Sequence, residues 1–233
     1  MAITKNADNG LILYICFRGH CGESGVIGGG SFVYKQPEVK KFVPYDAGEV
    51  VPLNAKRIPS WVRETLAKWS IHPEEVTHWK YSPEEDRILL PVHGPLYELR
   101  GYVRRGSSDR QPKALTGRVV DGQPFQSWHI RETPRPHLIL VEDVPSAYRL
   151  MLNDAEAVAL TGCTPSDDAL DEIVRVARQR KQQLVWALDP DATDKALRLN
   201  NKVSLRIASR VLVLPKDVKD MTDEEVTCLL NDL

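Results

Sequence analysis

The chain is poor in cysteine: Cys16, Cys21, Cys163 and Cys228 are the four it has in 233 residues, too scattered for a disulfide scaffold. It has no uninterrupted apolar span of membrane length and no stretch that reads as a signal peptide. A reduced, cytoplasmic protein with no membrane partner is therefore expected. It also lacks an excess of either charge. Lys and Arg number 31 against 32 Asp and Glu, a formal net charge of -1, so no global field would gather a polyanion. What is present is ordinary for a globular chain, 42% hydrophobic and 27% charged, with length for one large domain or two small ones.

The charge bias is local. Between positions 99 and 118 stand Arg100, Arg104, Arg105, Arg110, Lys113 and Arg118, opposed only by Asp109. Around the turn RRGSSDRQPK these side chains can direct charge-assisted donors at phosphates. The acidic counterweight is C-terminal, in Asp217, Asp220, Asp223, Glu224 and Glu225.

In chain order, the first apolar run leads into Gly-rich turns carrying Cys16, His20 and Cys21, one half of a zinc ribbon. A closed structural zinc site needs about four ligands and the second pair is missing, so a metal-free hairpin or remnant is expected rather than bound zinc. Residues 36–59, rich in Pro, Lys and Val without a period, read as an extended linker. Residues 60–69 form a helix with Trp61, Leu66 and Trp69 on one side, placed there as core. Antiparallel strands follow at 87–92, 96–104 and 117–120, whereas 124–134 has no assignment.

A boundary is expected at residues 132–136, ETPRP. Beyond it, strands at 138–141, 157–160, 184–188 and 211–214 alternate with helical stretches, which argues for a small parallel sheet with helices on both faces. The runs HLILV and QLVWAL both end in acids, and such folds place their chemistry at the carboxyl ends of the strands. Glu142, Asp189 and Asp191 should then converge, joined by Asp217 and Asp220 after the last strand. Clustered carboxylates repel, and a divalent cation would give them a reason to be together; single acids at strand ends are otherwise helix caps.

ILVEDVPSA, ALDPDATDKA and LPKDVKD resemble the motifs of a TOPRIM domain, the catalytic fold of bacterial-type and phage primases, topoisomerases and related nucleases. RILLPV, GYVRR and QPKAL resemble the subdomain that precedes TOPRIM in primases, and YICFRGHCGESG resembles the end of their zinc-ribbon module. The resemblance spans roughly residues 61–220, with fragments in the first 35. It implies an α/β protein with a partial zinc-ribbon-like hairpin (1–35), a linker (36–59), a basic α+β primase N-terminal subdomain (60–135) and a TOPRIM domain of small parallel sheet and flanking helices (136–233).

The resemblance further implies synthesis of short RNA primers on single-stranded DNA from ribonucleoside triphosphates, with Mg2+ or Mn2+. Glu142 would be the acid/base, Asp189 and Asp191 the metal pair, and Asp217 or Asp220 an added acid near the metal. Arg104, Arg105, Lys113 and Lys195 would contact nucleotide or template. The chain departs from the pattern in that Asp143 follows Glu142, Ser146 stands four residues on where an aspartate is common, and Asp194 replaces a glycine after the acidic pair. With no Walker A lysine loop, a separate replicative helicase would be the partner, and a phage or mobile-element origin is implied. Two other readings stand beside this one: a TOPRIM nuclease, and a noncatalytic adaptor that binds DNA or helicase.

Overall fold

The computed structural model describes residues 41–233 except Cys163, together with three short strands nearer the N-terminus. The chain divides into two compact units, Met1–Val43 and Pro44–Leu233. In the first, β1 (Ala2–Lys5), β2 (Ile12–Ile15) and β3 (Ser24–Ile27) pair antiparallel in sequence order. The positions of Cys16, His20 and Cys21, expected as a zinc-ribbon remnant, lie outside the described residues.

The second unit opens with β4 (Val51–Pro52) and helix α1 (Ser60–Lys68). β5 (Lys80–Ser82), β6 (Arg87–His93), β7 (Leu99–Arg105) and β8 (Ala114–Arg118) follow. These strands form an antiparallel sheet in the order β4-β5-β6-β7-β8. Residues read from sequence as linker thus supply β4, and behind it Leu53 and Ile58 enter the core. Tyr45 lies flat on β8, where a Cβ at Gly117 would fall 2.6 Å from its ring. Only glycine leaves room for that approach.

The other sheet contains β9 (Ser127–His129), β10 (His137–Val141), β11 (Glu156–Ala159), β12 (Gln183–Trp186) and β13 (Ser209–Val211) in the order β13-β12-β10-β11-β9. Its pairs are parallel except β9 with β11, so the sheet is mixed rather than wholly parallel. β9 comes from the segment that had no assignment and lies before the expected boundary at 132–136. Side chains alternate between the faces of these strands. Ile139, Val141, Ala157 and Val185 join one apolar cluster, which also takes in Val62, Leu66 and Trp79 from the first sheet's side. Leu138, Leu140, Val158, Leu184 and Trp186 join a second.

Helix α2 (Val144–Leu152) packs into the first cluster, while α3 (Asp167–Gln179) and α4 (Thr193–Val203) cover the second. α2 starts where it does because the Asp143 carboxylate accepts a hydrogen bond from the Ser146 backbone N–H at 3.0 Å, with Pro145 in the first turn. α5 (Asp223–Asn231) is opened by a reciprocal cap between Thr222 and Glu225.

Candidate functional site

β10 and β12 are parallel neighbours, so the residues just past their carboxyl ends meet at one edge of the sheet. Glu142 and Asp143 follow β10, and Asp189 follows the buried pair Ala187 and Leu188 beyond β12. Asp191 sits on the one-turn helix Pro190–Ala192 that leads into α4. Beyond β13, the turn Val218–Asp220 brings in Lys219, with Asp217 just before it; buried Val218 anchors that turn in the core.

Lys219 is the centre of the acidic group. Its Nζ donates to Asp143 Oδ2 and Asp217 Oδ2, each at 2.7 Å, and lies 4.0 Å from Asp189 Oδ2, with 11% of its side chain exposed. Burial works to lower its proton affinity, but the charge of Asp143, then Asp217 and Asp189, outweighs this and holds the ammonium above its ordinary value. The Asp189 carboxyl is pushed up to about 7, first by burial, opposed by Lys219 and reinforced by Glu142, Asp217 and Asp143. Glu142 is also raised, by burial first and then by Asp191 and Asp143, with Lys195 pulling the other way.

Two cavities meet at this edge, and Glu142 lines both. One, of about 340 Å³, lies between the antiparallel sheet and the strand ends, with Trp69, Val103, Arg105 and Ala114 on one wall and Glu142, Asp143, Asp189 and Lys219 on the other. The second, of about 410 Å³, is bounded by Glu142, Asp191, Asp194, Lys195 and Arg198. Both signs of charge face each cavity, an arrangement able to hold a polyphosphate together with a cation.

The structure brings together Glu142, Asp189, Asp191, Asp217 and Lys195 among the residues singled out from sequence. Asp220 turns elsewhere, its Oδ1 lying 3.4 Å from Lys68 Nζ on α1. Arg104 and Arg105 part company because neighbours on a strand face opposite ways. Arg105 lines the cleft, its guanidinium 5.9 Å from the Trp69 ring centroid. Arg104 is on the other face, donating to both Glu85 carboxylate oxygens at 2.8 and 3.0 Å and stacked 4.6 Å over Tyr45. Lys113 is exposed on the loop between β7 and β8. That loop is pinned from beneath by buried Arg87, which donates to the carbonyls of Arg104 and Pro112.

Asp143, Lys219 and Trp69 were not predicted as site residues. Asp143 reads as a helix cap, and nothing local in LPKDVKD says that its second lysine turns inward. Among the described residues no three His, Cys, Asp or Glu side chains gather into a ready-made metal cage. The donors nonetheless suit a hard cation that keeps much of its water. They are carboxylate oxygens, and Glu142 Oε1 is buried with no hydrogen-bond partner among the described residues.

No family model and no curated protein matches this sequence. Among solved structures, the chain is similar to a DnaG primase catalytic domain bound to single-stranded DNA, with a TM-score of 0.61 and 13% identity over 78% of this chain and 72% of that one. It is similar to the E. coli primase catalytic core, at 0.51 and 16% identity, over 76% of this chain and 61% of that one. The zinc-binding and RNA polymerase domains of the Aquifex aeolicus primase match at 0.50 and 18% identity, over 63% of this chain and 39% of that one. The chain therefore spans less than two thirds of the last two. At these identities the likeness establishes the fold alone, that of a primase catalytic domain, here with antiparallel and mixed sheets and flanking helices.

Proposed function

We propose that this protein makes short RNA primers on single-stranded DNA by metal-dependent nucleotidyl transfer. The observation that carries the reading is the cleft in which Arg105 faces Glu142 and Asp189 across about 340 Å³, on a primase catalytic-domain fold. The proposed division keeps the primase N-terminal subdomain and the TOPRIM domain as the two walls of that cleft.

Glu142, Asp189 and Asp191 would hold a divalent ion, Mg2+ or Mn2+. When bound there, such an ion supplies neutralisation of phosphate charge and acidifies a hydroxyl beside it. Arg105 binds phosphate from the facing wall, steadied by its contact with the Trp69 ring. Lys195 and Arg198 neutralise the polyphosphate of the incoming nucleotide in the adjoining cavity. Glu142, on the wall shared by both cavities, would take the proton of the attacking 3′ hydroxyl through its carboxylate oxygen not held by the ion, as the hydroxyl oxygen bonds the α-phosphorus of the incoming nucleotide and pyrophosphate leaves. Single-stranded DNA and a separate replicative helicase are the partners this reading requires.

The test is a primer-synthesis assay with single-stranded templates of varied sequence, ribonucleotides and Mg2+ or Mn2+. The wild type is expected to make short RNA. Asp189→Asn with Asp191→Asn should abolish it, and Arg105→Ala should lower it about 10-fold or more, roughly the loss of one charge-assisted phosphate contact. Absence of product on all templates, with or without a replicative helicase, would overturn the proposal. Cutting of DNA without nucleotides would instead identify a nuclease. The noncatalytic adaptor has one observation in its favour, the ammonium of Lys219 already among the acids. It predicts DNA binding that is unchanged in the double asparagine variant, and no product from either protein.

A further inference from the structure

Resting on that reading, we propose that the Lys219 ammonium is a built-in counter-cation and that the site therefore accepts one divalent ion, on its Glu142 side, rather than two. The clustered carboxylates are not equivalent. Asp143 has both oxygens committed, Oδ1 to the Ser146 backbone N–H at 3.0 Å and Oδ2 to Lys219 Nζ at 2.7 Å. Asp217 is held by the same ammonium, also at 2.7 Å. Both are tied to elements that pack against each other: Asp143 caps α2, and Lys219 sits on the turn fixed by buried Val218.

On the other side, Glu142 Oε1 is buried without a partner, and Asp191 and Asp194 face the cavity they share with it. Asp189 lies between the two groups, 4.0 Å from the ammonium. Ions of a two-metal site stand about 3.5–4 Å apart, so an ammonium already among Asp143, Asp217 and Asp189 takes the room and charge balance that a second ion would need. A divalent ion placed beside it would meet a like charge in a poorly solvated setting, where repulsion is strong. Asp217, expected from sequence as a metal ligand, thus becomes a ligand of Lys219.

The experiment counts bound Mn2+ by electron paramagnetic resonance titration of the full chain without nucleotide. Wild type is expected to bind one Mn2+, Lys219→Arg one, and Lys219→Met two. Two ions on the wild type overturn the proposal, as does a single ion on Lys219→Met with wild-type affinity; in both cases the metal-dependent reading survives. No ion on any of the three proteins overturns both. Circular dichroism in EDTA checks the fold of Lys219→Met, and if it does not fold, the wild-type and Lys219→Arg counts decide.

Discussion

His129 shows how one buried side chain sets a pH limit on the fold. It is 7% exposed, its Nε2 lies 3.2 Å from Ser127 Oγ, and its ring stands edge-on to Tyr148. Burial first, then the neighbouring His93 and His78, lowers its proton affinity to about 3. The folded protein thus keeps His129 neutral, whereas the unfolded chain protonates it below about 6.5. Its contribution is whole above 6.5 and is lost as pH falls from there toward 3, at up to about 1.4 kcal/mol per pH unit. Chemical denaturation from pH 7.5 to 4.5 should show this fall, and His129→Gln should flatten it; an unchanged slope would exclude His129 as its source. At the same scale the site was only half legible. Glu142 and Asp189 could be placed because the apolar runs before them mark neighbouring parallel strands. Arg104 and Arg105 could not be told apart, since which of two adjacent residues faces a cleft depends on the register of β7, and Lys219 turns inward only because Val218 beside it is drawn into the core.

Between elements, the antiparallel sheet is tied to α3 by Arg100. Its guanidinium, 5% exposed, donates to Glu172 at 2.7 and 2.8 Å, to Glu98 and to the Pro124 carbonyl. Arg100→Ala leaves the Glu172 carboxylate, 12% exposed, without its counter-ion, whereas the more exposed Glu98 can turn to water. The expected cost is about 3 kcal/mol or more in urea unfolding. Adding Glu172→Leu to Arg100→Ala should restore much of it, because no uncompensated carboxylate is then left buried. Equal destabilisation in single and double variants would mean that packing of the Arg100 stem dominates. Sequence placed Arg100 in a phosphate-binding run, since a basic stretch carries no sign of which of its members will be claimed by a glutamate 72 positions away. Separation in sequence also hid β9: three residues, SWH, have no period of their own and become a strand only by pairing with β11. β10 and β12 were legible as continuous apolar runs, and α3 by an apolar period that repeats often enough to define a face.

For the whole molecule, both apolar clusters among the described residues draw their buried members from Leu53 through Val226, entirely within the unit Pro44–Leu233. All the acids, Lys219 and the cleft-facing Arg105 belong to that unit as well. Because Pro44–Leu233 is a compact unit with apolar clusters of its own and holds these site residues, its stability and its cation site are both expected to survive removal of residues 1–43. The fragment is expected to unfold in one cooperative transition, with Tm changed by less than about 4 °C, the displacement that roughly 1 kcal/mol produces in a domain of this size. It should bind the same number of Mn2+ ions as the full chain. Differential scanning calorimetry and the Mn2+ titration check the two halves separately. A fragment that folds but loses its ion would place a ligand in the first 43 residues. A fragment that fails to fold would overturn the expectation that Pro44–Leu233 is an independent folding unit.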